Sequence, residues 1–528
     1  MQPQEQSGGK LKRQGRCCAD LFCPFEAIAH VEPIRHRKEV HGCQYVGTIK
    51  LPAQTRKSEK HDRGLEQLLG LAKDCGYEPS YWDERNYTRA LEKHSYAKGR
   101  PLSEAEHLDA DWVLADEYYY MYGSKPVPVT LTTKNHKSHP GVPVRYYYKT
   151  EIDFISQEGM RTYGHVEDVF SREPRPYLFY GFLKSELVKV QKNADKDTRM
   201  IQCPPCTVNR MAARFEQEQN QRMKDNVETC ESQVGWSPLM GGLDKTLSRF
   251  VNCHNFLELD WTRYDGTIPD EIFDKVGFFR ASALYCTDKE YRTYVNYRST
   301  LLQRLTALPT GDVIVIPKGN PSGQFSTSAD NCMVQTVLVF LETKAWLAHN
   351  GVHLSNRDVR QCYATISYGD DRLTGYLPGD YEHLFPPATD WLAEFYRSTF
   401  GMWVKPENVK TSRRLEGLTF CGINITKQYG VYVPVYKSEK LYTSLCDPVQ
   451  PSSTVDELEQ KYNNIRALVA LGKGDRETAI RECAQVLSGI DPNYKPLTDF
   501  ETDLLVGGPK FCMRKGANTT KTVRWISK

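Results

Sequence analysis

The chain has 528 residues, 40% hydrophobic and 26% charged, an ordinary globular composition with room for about two to four lobes. Its formal net charge of +3 is too small to announce a polyanion partner, so charge has to be read locally. The longest apolar run, Val337 to Leu341, is far short of a bilayer span, so no integral membrane segment is expected.

The N-terminus is polar and basic (Gln2, Gln4, Lys10, Lys12, Arg13) and has no signal-peptide pattern. The sixteen cysteines are therefore expected as reduced thiols of a cytoplasmic protein. Residues 1–45 read as an arm with little core of its own. Neither its group Cys17, Cys18, Cys23, His30, His36, His41 and Cys43 nor the later Cys203-Pro-Pro-Cys206 has the paired spacing of a structural zinc site. Buried or idle thiols are the expectation for both.

Two tyrosine clusters follow, Tyr118-Tyr119-Tyr120 and Tyr146-Tyr147-Tyr148, read as strand or packing surface, with base stacking the sharper alternative. Between 181 and 224 positive charge gathers: Lys184, Lys189, Lys192, Lys196 and Arg199 lead into Met200-Ile201. Glu186, Asp195 and Asp197 are mixed in, so a solvated face is the plain alternative.

Phe256 to Trp261 reads as a buried strand that delivers Asp260 at its end. A carboxylate there is costly unless paired or coordinated. Pro269 opens a helix. The turn-formers of Pro317 to Gly323 lead into an apolar helix from Met333 to Leu347. Cys362–Tyr368 and Arg372–Leu377 flank Gly369-Asp370-Asp371 as a hairpin with both aspartates on its tip. Trp391 to Phe400 is a helix stopped by Gly401, and Leu418 to Ile425 a strand. Beyond it the pattern turns helical. A capping box at Thr454 and Glu457 opens a helix to Leu471, and a second helix runs from Asp475 to Leu487 with Gly489 past its end. Lys510, Arg514, Lys515, Lys521, Arg524 and Lys528 make an acid-free tail, solvated or in contact with phosphate.

The chemistry lies in the order of three motifs: Asp260-Trp-Thr-Arg-Tyr-Asp265, then Ser322-Gly323-Gln-Phe-Ser-Thr327-Ser-Ala-Asp-Asn331, then Tyr368-Gly-Asp370-Asp371. Carboxylates from two separate segments suit Mg²⁺, which prefers oxygen ligands and can act as a pair on one in-line phosphoryl displacement. Asp260 and Asp370 are the expected metal pair, with Asp371 a weaker or outer ligand. Asp265, Ser322, Thr327 and Asn331 could form a polar network around a ribose 2′-OH. Helix N-capping is the plain alternative for the last three. Lys196 and Arg199 are candidates for the incoming triphosphate, because Arg offers bidentate contacts to phosphate. Lys410 is a candidate general acid toward pyrophosphate, with Lys405 its rival and an ordinary surface lysine the plain alternative for either.

These residues resemble motifs A, B and C in the palm of positive-strand RNA virus RNA-dependent RNA polymerases, and look most like those of astroviruses. By that resemblance Lys196-Asp-Thr-Arg199 corresponds to motif F, Lys410 to the motif D lysine and Leu418–Ile423 to motif E. Ser322, Gly323, Thr327, Asn331 and Asp265 become nucleotide-binding residues. The resemblance implies an α/β closed right hand. Its divisions would be an N-terminal arm (1–45), fingers (46–254), palm with motif A (255–277), a fingers insertion (278–318), palm with motifs B to E (319–425), and a helical thumb with a basic tail (426–528). It also implies two Mg²⁺ ions, with Mn²⁺ an accepted substitute. The implied partners are an RNA template, nascent RNA, NTPs, a viral protein primer (VPg) and other replicase proteins. Release from a frameshifted polyprotein and action in a membrane-associated complex of the host cytoplasm complete the expectation. The rivals are a reverse transcriptase, for which an aromatic is expected in place of Asp265, a non-catalytic RNA-binding scaffold, and a metal-dependent nuclease.

Overall fold

The computed structural model of the chain describes residues 22–51, 64–72, 74–135 and 138–516. Its strands in chain order are β1 (Glu32–Val40), β2 (Cys43–Thr48), β3 (Tyr77–Pro79), β4 (Leu178–Leu183), β5 (Leu187–Lys189), β6 (Met200–Cys203), β7 (Asn255–Thr262), β8 (Arg304–Ala307), β9 (Asp312–Ile316), β10 (Tyr363–Tyr368), β11 (Asp371–Tyr376), β12 (Trp403–Ser412), β13 (Thr419–Phe420), β14 (Ile423–Gln428) and β15 (Val431–Val435).

A six-stranded sheet runs β1-β2-β9-β8-β4-β6, antiparallel except for β4 beside β8. Its first hairpin departs from the expectation of an arm without core. β2 pairs β9 and buries Cys43 and Tyr45. Phe22 and Phe25 upstream are buried among other aromatics. Cys17 and Cys18 lie outside the described residues, as do Lys521, Arg524 and Lys528.

The second sheet, β10-β11-β7-β12, is wholly antiparallel. Against it lies the Thr327–His349 helix, buried from Ala329 to Thr343, its apolar run Val337–Leu341 packed in the core and its polar residues Asp330, Asn331, Gln335 and Glu342 buried with it. Together with Leu257, Leu259 and Trp261 of β7 it makes the largest core.

The expected strand at Leu418–Ile425 is instead a hairpin. Cys421 and Gly422 both take positive φ, +52° and +73°, which turns β13 back on β14. A further strand, β15, extends this small sheet. The tyrosine clusters are not strands. Tyr119–Met121 and Val144–Tyr146 are 3₁₀ turns, with Tyr118 buried and Tyr119 exposed.

The C-terminal helices Ser438–Cys446, Val455–Leu468 and Asp475–Ile490 share a core with Leu69 and Cys75. Glu66, buried, accepts from Ser452 N at 3.0 Å and from Lys461 Nζ at 2.7 Å. An early segment is thus fastened to late helices. Thr454 caps its helix alone, since Glu457 answers Ser453 N rather than Thr454 N. The next helix runs through Gly489 to Ile490. The described basic residues of the tail are held in place: Lys510 by Asp244 at 2.6 Å, Lys515 by Asp503 at 2.7 Å, and Arg514 by the Gly430 carbonyl at 2.8 Å.

Candidate active site

β7 alternates so that Glu258 and Asp260 share one face. Its apolar residues Phe256, Leu257, Leu259 and Trp261 are buried, while Asp260 emerges to solvent. β10 and β11 form a hairpin closed at Tyr368 and Asp371, with Gly369 at φ +64° supplying the turn. β11 pairs β7 with Arg372 opposite Leu259. One step beyond that pair, Asp371 comes alongside Asp260.

The Thr327–His349 helix steadies this tip from beneath. Gln335 Nε2 donates to the Asp370 carbonyl at 3.1 Å, and Gly369 N donates to Cys332 Sγ at 3.4 Å.

The three aspartates reach solvent but stand in a crowded hollow, which raises all three carboxyls. For Asp371 burial, then Asp370 and Asp260, push the pKa up to about 7. Asp370 is raised by burial and by Asp265 and Asp260, against the opposing charge of Arg199. Asp260 is raised by burial and by Glu258, against Lys410 and Lys192. Among the described residues no three His, Cys, Asp or Glu side chains are already gathered as a metal cage. The donor set nevertheless fits a hard divalent cation: its ligands are carboxylate oxygens whose mutual repulsion a cation relieves.

Asp265 is bound on both sides. Its Oδ2 accepts from Lys93 Nζ at 2.8 Å, and its carbonyl accepts from Asn320 N at 2.8 Å. Asn320 is the link that the sequence motifs did not single out. Its Nδ2 donates to Asn331 Oδ1 at 2.8 Å and to the Thr327 carbonyl at 3.1 Å. Its position between Gly319 and Pro321, in the turn before Ser322, was the available signal. Gln324 continues the chain, donating to Asn320 Oδ1 at 3.1 Å and to Asp330 Oδ2 at 2.8 Å. Asp330 is fully buried between Arg280 Nε and Arg298 Nη1, each at 2.7 Å, and Arg298 also meets Glu216 at 3.3 Å. A carboxylate buried this deeply must have such partners.

None of Ser322, Thr327 and Asn331 caps the helix. Ser322 Oγ donates to the Met200 carbonyl at 3.2 Å, and Thr327 Oγ1 to the Pro321 carbonyl at 2.9 Å. The helix N-cap is Ser326, without a side-chain cap bond. Gly323 has a steric reason: a Cβ there would stand 2.4 Å from the Gln202 carbonyl oxygen.

Arg199 is 66% exposed and forks onto Glu186, with Nε to Oε1 at 2.7 Å. Its charge reaches both Asp370 and Asp265. Lys196 is occupied away from the aspartates, 3.3 Å from Asp83 and 5.5 Å from the Tyr81 ring centre. Lys410, on β12 directly opposite Glu258, binds its Oε1 at 2.7 Å. Glu258 also accepts from Thr419 N at 2.7 Å, which ties β13 to β7. The Lys405 region bulges, since the β12 register breaks between Val404 and Val409. Cys203 and Cys206 are buried thiols, as are Cys23 and Cys43.

The family model for viral RNA-dependent RNA polymerase matches residues 34–484. The chain is similar to non-structural polyprotein 1AB of Avian nephritis virus 1, with 34% identity over 83% of this chain and 29% of that protein. It is likewise similar to the same polyprotein of Ovine astrovirus 1, with 35% identity over 85% of this chain and 35% of that protein. For Turkey astrovirus 1 the identity is 36%, over 84% and 28%. The chain thus spans about a third of the length of these relatives. A solved Sicinivirus 3Dpol RNA dependent RNA polymerase superposes with a TM-score of 0.65 at 15% identity, over 85% of this chain and 96% of that one. The mixed α/β fold is the same.

Proposed function

The chain belongs to the viral RNA-dependent RNA polymerases, and on that premise we propose that it copies an RNA template into RNA from NTPs at the hollow lined by Asp260, Asp370 and Asp371. The observation that carries this reading is the pairing of β11 with β7, which sets Asp371 alongside Asp260.

Asp260 and Asp370 would hold two Mg²⁺ ions, or Mn²⁺ in their place, with Asp371 as a further ligand. Bound there, such cations would supply Lewis-acid stabilisation of the attacking and leaving oxygens. The primer 3′-OH gives up its proton to solvent and attacks the α-phosphate in line; the new 3′-O–P bond forms as the bond from the α-phosphorus to the bridging oxygen breaks, and pyrophosphate leaves. The protein's part is positioning and electrostatics. Asp265 accepts from the ribose 2′-OH, held in place by Asn320, Asn331 and the loop bearing Ser322, Gly323 and Thr327. Arg199 turns from Glu186 to the triphosphate, with Lys196 farther along the entry path. Lys410 gives the proton that pyrophosphate needs.

The divisions proposed are fingers over 46–254 and 278–318, palm over 255–277 and 319–425, and thumb over 426–528, with the arm at 1–45. Closure into a ring is supported by Glu66, Leu69 and Cys75 packing onto the C-terminal helices. RNA threads that ring. A protein primer (VPg) and other replicase proteins join it in a membrane-associated complex of the host cytoplasm. No helix among the described residues is long and apolar enough to cross a membrane.

The test is extension of an RNA primer on an RNA template with Mg²⁺, offered rNTPs or dNTPs, beside Asp370→Asn. Template-dependent lengthening with rNTPs alone, lost by about a thousandfold in the variant, is the expected result. Undiminished extension by Asp370→Asn would refute the site. Equal use of dNTPs would move the reading to a reverse transcriptase.

A further inference from the structure

Three consecutive residues of one short turn, Glu92–His94, close on the segment that carries Asp265. Glu92 Oε2 accepts from Arg263 Nη2 at 3.3 Å. Lys93 Nζ donates to Asp265 Oδ2 at 2.8 Å. His94 is buried against the main chain of Gly266. The turn therefore grips residues 263, 265 and 266 with a carboxylate, an ammonium and a packed ring in succession.

The Lys93 stem passes directly over Gly266. A Cβ at that position would stand 2.6 Å from Lys93 Cγ, so only glycine leaves the path open. The Lys93 side chain is 11% exposed and that of Asp265 is 30% exposed. A lysine buried to this degree is seldom left without a partner, and its ammonium can only donate. With Oδ2 engaged by Lys93 and the carbonyl engaged by Asn320, Oδ1 is the Asp265 oxygen without a partner among the described residues.

We propose that Lys93 is a positioning residue that sets sugar specificity. By holding Oδ2 it fixes the Asp265 carboxylate with Oδ1 presented to the ribose 2′-OH, and discrimination against 2′-deoxyribonucleotides depends on it through Asp265. The proposal rests on the reading of Asp265 as the sugar gate. Lys93 itself touches neither the sugar nor the reacting phosphate.

The test compares kcat/KM for an rNTP and its 2′-deoxy analogue on an RNA template-primer, using the full chain. The proteins are the parent, Lys93→Gln, Lys93→Arg, Asp265→Ala and the double variant Lys93→Gln/Asp265→Ala. Loss of one charge-assisted hydrogen bond predicts a fall in ribose preference of about tenfold for Lys93→Gln. Lys93→Arg, which keeps a cationic donor, should stay within about threefold of the parent. Asp265→Ala should lose at least as much preference as Lys93→Gln, and the double variant no more than Asp265→Ala.

Parent-like preference in Lys93→Gln, with the preference lost in Asp265→Ala, overturns the role of Lys93 and leaves the gate standing. Parent-like preference in Asp265→Ala overturns the gate and this proposal with it. A double variant falling by the product of the single effects would mean that Lys93 acts apart from Asp265, which also overturns the proposal. If Lys93→Gln does not fold, Gly266→Ala carries the test, because its methyl group displaces the Lys93 stem. Preference should fall there too, and an unchanged ratio would refute the proposal.

Discussion

Arg372 and Glu342 meet through two parallel hydrogen bonds, Nη1 to Oε2 at 2.6 Å and Nη2 to Oε1 at 2.8 Å, with both side chains fully buried. Arg372 directly follows Asp371, and Glu342 stands about two-thirds of the way along the Thr327–His349 helix. The pair fastens the aspartate hairpin to the core, and the Tyr396 hydroxyl joins it at 3.1 Å from Arg372.

Removing one partner leaves the other as an uncompensated buried charge. Glu342→Ala should therefore destabilise the protein by about 3–5 kcal/mol. Glu342→Gln, which keeps the shape and part of the hydrogen bonding, should cost less. Thermal melting of the two variants beside the parent checks this, and a parent-like midpoint for Glu342→Ala would contradict it.

Gly323→Ala places a methyl group against main-chain atoms, the Gln202 carbonyl at 2.4 Å and Cys203 Cα at 3.0 Å. Backbone in a paired strand does not yield easily. The expected cost is about 1–3 kcal/mol, with a matching rise in KM for NTP as the loop bearing Ser322 is pushed from β6. Steady-state kinetics and melting of the variant read both effects. A variant equal to the parent in each would show that β6 gives way.

Asp371 has its pKa pushed up to about 7 by burial, then by Asp370 and Asp260. In the unfolded chain it loses its proton near about 4. Between those values the folded chain holds the extra proton, so this group's contribution to stability declines as pH rises from about 4 to 7. In EDTA, Asp371→Asn should gain in melting temperature over the parent as pH climbs from 5 to about 8. Metal binding runs the other way, because a cation displaces the proton. Mg²⁺ affinity should rise by up to about tenfold per pH unit below 7 and level off above it. Calorimetric titrations at several pH values measure this, and a flat profile would count against Asp371 as a ligand.

Lys410 is bound to Glu258 at 2.7 Å and lies within electrostatic reach of Asp260. As a general acid its removal should lower kcat about a hundredfold while KM for NTP moves less than about threefold. Lys410→Met and Lys405→Met, compared in single-nucleotide incorporation, separate the two lysines. Loss confined to Lys405→Met would transfer the role.

The hairpin at Asp370 and Asp371, the strand ending at Asp260 and the helix after Gly323 were legible because period, turn residues and order all agreed. The strand read at Leu418–Ile425 became a hairpin because Cys421 is a non-glycine residue at positive φ, which no composition rule announces. The N-terminal hairpin was missed because its first strand is mostly polar, and the partners that bury Cys43 and Tyr45 of its second, among them Trp82, Leu91, Met200 and Ile314, come from distant parts of the chain. Within the site, the aspartates were visible as types in a motif. Their supports were not: Lys93 and Asn320 both reach Asp265 from distant sequence, and hydrogen-bond partners leave no periodic trace. Lys196 carried the right charge for a phosphate contact, but the fold turns it to Asp83.

The cluster beneath the nucleotide loop balances its own charges, with Arg280 and Arg298 against Asp330 and Glu216. It therefore exerts no monopole field on the hollow above. The loop bearing Ser322 and the helix turn bearing Asn331 rest on a foundation of paired charges with no net charge of its own. The potential a polyanionic ligand meets on entry is left to the exposed groups around the rim, where solvent and salt can tune it.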